Sequence, residues 1–238
     1  MTLRLSIDWP DARPFLGRDG RPIRILAASD EPDPALEDPR NRAAVGPIDL
    51  VVGCGDLGPD RLAFLGDAFS SPLVYVRGNH DRGGPWPAPA GLPEAAAGFD
   101  TRTLPGLALL ALPWPDAGQA RALRDEGAAW RQAVRLAGRR LLRPPASCLV
   151  FSHVPARGAG DMPEDAYHRG FAAYRFLLDR IRPPLWLHGH TALAAQRERV
   201  VRYGPTRLVN VTGSVLVELC PPALAGAVAP PAGADPGR

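Results

Sequence analysis

The chain contains no lysine; all 28 of its basic residues are arginine. It also lacks a surplus of charge of either sign, with 28 basic against 25 acidic residues for a net of +3. That balance is too small to imply nucleic-acid binding. The arginines are dispersed apart from one cluster, "RLAGRRLLRPP", which reads as a solvated helix end. A nuclease would call for a basic stripe interleaved with aromatics for stacking. Cysteine is scarce: Cys54, Cys148 and Cys220 have no paired spacing, which argues against a disulfide framework and for a reducing compartment. No apolar run approaches the roughly 20 residues that cross a bilayer. The start, "MTLRLSIDWPDARPF", has no uninterrupted apolar core of a signal peptide. These absences predict a soluble, cytoplasmic protein with no membrane partner.

What is present is an ordinary globular composition, 238 residues at 45% hydrophobic and 22% charged, enough for one large core. Residues 1–22 read as an N-terminal extension with a strand-like start (Leu3 to Ile7), residues 23–220 as the folded domain, and residues 221–238 as a disordered Pro/Ala/Gly-rich tail. "IRILAAS" (Ile23 to Ser29), "IDLVVGCGD" (Ile48 to Asp56) and "PLVYVRGN" are apolar runs of strand length. "PDRLAFLGDAF" has helical spacing at Leu62, Leu65 and Phe69. Strands alternating with helices and loops predict an α/β protein with a mostly parallel sheet. Residues 83–98 are too rich in Pro and Gly for a regular element. "GLALLAL" predicts a further strand and residues 117–142 the longest helix. "SCLVFSH" reads as a strand, "AYHRGFAAYRFLLDRI" as a helix and "PLWLHGH" as a strand. "RERVVRYG", "RLVNVTG" and "SVLVEL" predict three final strands, antiparallel and joined by short turns.

Metal-capable residues recur where apolar strands give out. Asp30 follows "RILAAS", Asp56 follows "LVVGCG", Asn79 and His80 follow "LVYVRG", His153 follows "CLVFS" and His190 follows "LWLHG". Four of the five histidines (80, 153, 188, 190) sit in or beside these ends. With parallel neighbours the ends share one sheet edge, where α/β proteins place their sites. Carboxylate oxygens and imidazole nitrogens together suit Mn, Fe, Zn and related divalent ions. Glycines 55, 78 and 189 allow the tight turns that bring such groups together. Each fragment alone is a common turn; the ordered set of five is the signal.

In "SDEP" (29–32), "CGDL" (54–57), "GNHD" (78–81), "SHVP" (152–155) and "GHTA" (189–192) the chain resembles the calcineurin-like metallophosphoesterases, over roughly residues 23 to 215. Their pattern runs Asp-x-His, Gly-Asp, Gly-Asn-His-Asp/Glu, a separate His, and Gly-His-x-His. The resemblance implies a single-domain, four-layer α/β/β/α sandwich with a two-metal hydrolytic site. By that resemblance Asp56 bridges two ions; Asn79, His153 and His190 complete one shell; Asp30 binds the other ion. A metal-activated hydroxide would attack a small phosphomonoester or phosphodiester in line. His80 would protonate the leaving alkoxide or contact the phosphate, with Asp81 orienting its ring.

The chain departs from the pattern twice. Pro32 stands where the first imidazole belongs, and Ala192 where the last does. Both losses fall on the ion held by Asp30, which implies one weakened metal position and one or two ions per chain. Glu31, Asp33 or His188 could compensate, although Asp33 also reads as a turn cap and His188 as an edge-strand imidazole. His168 could reach a substrate phosphate beside Arg169, or lie on a helix surface. Asn210 ends a strand and could support the site. Trp86 could floor a pocket or pack over the sheet. Pro32 and Ala192 keep a second reading open: a non-catalytic relative that binds a metal or a phosphorylated ligand as sensor or scaffold.

Overall fold

A computed structural model describes residues 2–81, 92–115, 124–142, 147–195 and 198–222. Trp86, the expected helical residues 117–123 and nearly all of the tail lie outside the described residues. Two sheets carry the fold. The first runs β1-β11-β2-β3-β4, built from β1 (Leu3–Asp8), β2 (Ile23–Ser29), β3 (Leu50–Cys54), β4 (Leu73–Val76) and β11 (Gly213–Cys220). The second runs β5-β6-β7-β8-β10-β9, from β5 (Gly98–Asp100), β6 (Ala108–Leu112), β7 (Cys148–Ser152), β8 (Leu185–His188), β9 (Val200–Tyr203) and β10 (Thr206–Asn210). Strands β2, β3 and β4 are mutually parallel, as are β6, β7, β8 and β10.

Every residue of β3, β6, β7 and β8 is buried. This is why these segments read as unbroken apolar runs: each strand is covered on both faces. Alternate residues point opposite ways. Leu149 and Phe151 of β7 meet Ile25, Val52 and Val217 of the other sheet in a central core. Cys148 and Val150 instead meet α3 (Glu126–Leu142) and α4 (Ala172–Ile181) through Ala129, Ala133, Tyr174 and Leu177. On the far side, Leu26, Val51 and Leu216 pack against Leu65 of α2 (Pro59–Phe69), with Val45 of α1 (Pro39–Val45) at the margin. The layers are therefore helix, sheet, sheet, helix. Among the described residues no helix is long and apolar enough to cross a membrane.

Three local expectations change. The last three strands do not form one antiparallel meander. β9 and β10 pair as a hairpin, but β11 crosses to the first sheet, parallel to β1 and antiparallel to β2. Its apolar residues alternate between the central core and the outer layer, so only the middle of a sheet covers both faces. By the same pairing, β1, read from sequence as part of an extension, is the edge strand of this sheet, with Leu3 opposite Val215. The helix expected from Ala166 begins only at Ala172. Side chains take the backbone N–H groups that would start it: Asp165 accepts from Tyr167 N (2.8 Å) and Asp161 from Gly170 N (2.9 Å). The short strand β5 had no periodicity long enough to read.

Candidate metal centre

The carboxyl ends of β2, β3 and β4 in one sheet meet those of β7, β8 and β10 in the other. Three of the ligand candidates take the left-handed backbone there: Asp30 at φ 61°, Asp56 at φ 58° and His190 at φ 66°. That conformation costs a non-glycine residue about 1–2 kcal/mol, and Asp and His tolerate it better than most. Each is pinned by its own N–H. Asp30 N donates to Gly55 O (3.1 Å), Asp56 N to Asp81 Oδ2 (2.6 Å) and His190 N to Asp30 Oδ2 (2.9 Å). Gly78 and Gly189 are required for close approach. A Cβ at Gly189 would collide with Ser29 Oγ and Asp30 Oδ2, and one at Gly78 with Asp56 Oδ1.

His153 is the hub and is fully buried. Its Nδ1 faces the Cys54 carbonyl at 2.9 Å, which can only accept, so Nδ1 carries the proton and Nε2 turns to the centre. There Nε2 lies 2.8 Å from Asn79 Oδ1, 3.1 Å from Asp56 Oδ2 and 3.1 Å from His190 Nδ1. His190 Nε2 faces the Tyr167 carbonyl at 3.0 Å, which by the same logic leaves a lone pair on Nδ1. Ligands bound at about 2.1 Å around one ion sit about 3 Å apart at right angles, so this spacing fits a divalent ion. Asp30, Asp56 and His153 each bring a ligand atom within 4.8 Å of the others.

The electrostatics agree. Burial pulls His153 down, but the hydrogen bond and charge of Asp56 outweigh it and raise the imidazole to about 9. Burial likewise pushes Asp56 up, yet His153 holds it below the usual carboxylate range. Burial and then the charge of His153 push His190 down to about 3. The centre thus favours a cation at His153 Nε2, and a proton serves where a metal is not bound.

Other expected residues land differently. Asp81 does not orient His80. Its buried carboxylate accepts from Asp56 N, Gly78 N (2.9 Å) and Gly58 N (3.3 Å), stitching two ligand loops together; burial raises its pKa. His80 is exposed, donates its N–H to Asp56 Oδ1 (2.8 Å) and turns Nε2 to the Tyr167 hydroxyl (3.2 Å). Asp33 is a cap, not a ligand: it accepts from Ala35 N (2.9 Å), Thr2 Oγ1 (3.1 Å) and Ser214 Oγ. His188 is buried with its ring against Gly160 and its pKa pushed down by burial to about 4; it stands outside the Asp30 group. Glu31 is exposed. Asn210 ties the Thr191 and Thr212 backbones together beside Asp30. It holds Thr191 O (2.7 Å) and Thr212 N (2.9 Å), and the Thr212 hydroxyl reaches Asp30 Oδ2 (3.2 Å).

His168 is on a turn, not a helix. Asp165 holds its Nδ1 at 2.5 Å and its ring lies 5.1 Å from that of His190. Two residues escaped the sequence reading. Tyr167 accepts from Asn79 Nδ2 and faces His80 and His190. Trp114, buried, packs its ring 6.1 Å from His153 and 5.6 Å from His190. Tyr167 had one available signal, its place beside His168; Trp114 had none.

No protein-family model matches the chain, and no curated protein sequence does. Solved structures do. TT1561 of Thermus thermophilus is 17% identical, over 80% of this chain and 89% of that one, at a TM-score of 0.51. A dimetal phosphatase from Danio rerio is 12% identical, over 81% and 88%, at 0.50. The purple acid phosphatase PPD1 of yellow lupin, Lupinus luteus, is 12% identical over 87% of this chain but 46% of its own, at 0.50. The likeness shows the fold alone, the helix–sheet–sheet–helix α/β sandwich that this chain shares with these structures.

Proposed function

We propose that the protein is a metal-dependent phosphoesterase acting on a small phosphorylated substrate. The observation that carries this is the convergence of Asp56 Oδ2, Asn79 Oδ1 and His190 Nδ1 on His153 Nε2 within 3.1 Å. These four side chains would hold a divalent ion; the mixed O/N set suits Mn, Fe or Zn. Such an ion supplies Lewis acidity toward a phosphoryl oxygen and makes a coordinated water acidic.

The chain's own residues do the rest. Cys54 O and Tyr167 O fix the tautomers of the two imidazoles, so both keep their lone pairs on the centre. Asp81 holds the Asp56 and Gly78 backbones in register. His80 stands at the open face with Nε2 available once it leaves the Tyr167 hydroxyl. From there it would contact the phosphate or give a proton to the leaving alkoxide.

The experiment is to strip the protein, restore Mn and assay an aryl phosphomonoester and phosphodiester beside Asp56→Ala. Turnover that needs Mn and is absent from the variant is the expected result. Metal binding without turnover on either ester would remove the enzyme reading. It would leave the second one, a metal- or phosphate-binding relative, which Asp33 and His188 favour because neither turns toward Asp30.

A further inference from the structure

Asp56 Oδ2, Asn79 Oδ1 and His190 Nδ1 lie within 3.1 Å of His153 Nε2, and a second ion beside Asp30 would need donors of its own. Among the described residues, Asp30, Asp56 and His153 are the one group of three or more His, Cys, Asp or Glu side chains whose ligand atoms all lie within 4.8 Å of one another; His190 joins it through Nδ1, 3.1 Å from His153 Nε2. His153 has one nitrogen to offer, Nε2, since Nδ1 is held by Cys54 O, and Nε2 faces Asn79 and His190, so a second ion would rest on the two carboxylates. Each carboxylate already has one oxygen engaged: Asp30 Oδ2 accepts from His190 N at 2.9 Å and from Thr212 Oγ1 at 3.2 Å, and Asp56 Oδ1 from His80 N at 2.8 Å. The neighbours that could help are occupied elsewhere. Asp33 is bonded to Ala35, Thr2 and Ser214. Asp81 is bonded to three backbone N–H groups. His188 is buried against Gly160, and His168 is held through Nδ1 by Asp165. Pro32 and Ala192 carry no side-chain donor atoms. Two carboxylates without an imidazole suit hard ions, Mn among them, and with so few ligands hold them weakly.

We propose that the centre takes one divalent ion, held by Asp56, Asn79, His153 and His190, and that Asp30 is a positioning residue. Its carboxylate locks the His190 backbone in the left-handed turn that aims Nδ1 at the ion. The inference rests on the metal binding proposed above, not on turnover.

The test counts ions. Stripped protein is titrated with Mn calorimetrically, the reloaded protein is analysed for metal, and the electron paramagnetic resonance spectrum is recorded. One Mn per chain with the spectrum of an isolated ion is expected. Asp30→Asn keeps an oxygen that can accept from His190 N and Thr212, so its Mn affinity should stay within about threefold of the parent. Asp30→Ala removes the lock and should lower affinity about tenfold, the range for residues that orient ligands. Both variants should still bind one ion. Two ions in the parent with an exchange-coupled spectrum, falling to one in both variants, would overturn the proposal, as would no bound ion at all. One ion without hydrolysis of any phosphoester leaves this inference standing and removes the phosphoesterase reading instead. The count in the parent protein decides the question even if Asp30→Ala fails to fold.

Discussion

Asp56 and Asp30 begin from the same local design. Each follows a parallel strand of the first sheet, each sits in the left-handed backbone at φ 58° and 61°, and each has its N–H tied to a neighbouring loop. Their surroundings differ in polarity. Asp30 Oδ2 is met by donors, the His190 N–H and the Thr212 hydroxyl. Asp56 Oδ1 also accepts an N–H, from His80, but its Oδ2 is met by His153 Nε2, behind which stand the Asn79 carbonyl oxygen and His190 Nδ1. A carboxylate oxygen among donors is satisfied by the protein. One that faces lone pairs, as Asp56 Oδ2 does, needs a cation, and the rise of His153 to about 9 expresses that need. On the proposed reading, the same strand-end aspartate is a structural lock in one place and a ligand in the other.

The largest effect should come from removing the ligand carboxylate. Asp56→Ala is expected to weaken Mn binding by more than ~100-fold, beyond the limit for supporting residues; calorimetry against Asp30→Ala sets the two aspartates side by side. An equal loss in both variants would end the distinction. Next is pH. In the metal-free protein His153 keeps a proton up to about 9, and an ion must displace it from Nε2. Mn affinity should therefore rise about tenfold per pH unit through neutrality and level off near pH 9. His190, pushed down to about 3, adds no slope in that range. A flat profile would mean that His153 is not a ligand.

Gly189→Ala probes the Asp30 side, where a Cβ collides with Ser29 Oγ and Asp30 Oδ2. A loss of about 1–3 kcal/mol is expected from the forced shift, read by thermal or urea unfolding. Unchanged stability would show that the contact relaxes freely. The smallest effect is at Tyr167, half exposed, whose hydroxyl bridges Asn79 and His80 while its backbone carbonyl holds His190. Tyr167→Phe removes only the hydroxyl. It should change kcat/KM about fivefold, the effect of one hydrogen bond, with Mn affinity intact. A matching loss of Mn affinity would place the hydroxyl in the metal shell instead.

The strands and the strand-end motifs were legible because both are short-range. Fully buried strands print as unbroken apolar runs, and Asp30, Asp56, Asn79, His153 and His190 each follow one. The roles of their neighbours were not legible. Asp81 next to His80 reads as a dyad, yet the carboxylate turns to three backbone N–H groups. Asp–imidazole contacts are made instead by Asp165 with His168 and by Asp56 with His153. "DAYHRGF" has helical propensity, but Asp161 and Asp165 take the amides that would nucleate a helix. Trp114 against the imidazoles of His153 and His190 had no motif at all.

By itself, the sequence determined which side chains a metal centre could draw on and where strands end to present them, since apolar runs and turn chemistry act over a few residues. Only the tertiary structure decided which of those side chains face one another. It turned Asp33 and His188 away, made Asp81 a clamp, carried β11 across to the first sheet and brought Tyr167 over the site. Those outcomes depend on pairings between positions far apart in the chain, such as Thr212 with Asp30 and His153 with Asp56. A hydrogen bond's partner is set by packing, which no local pattern encodes.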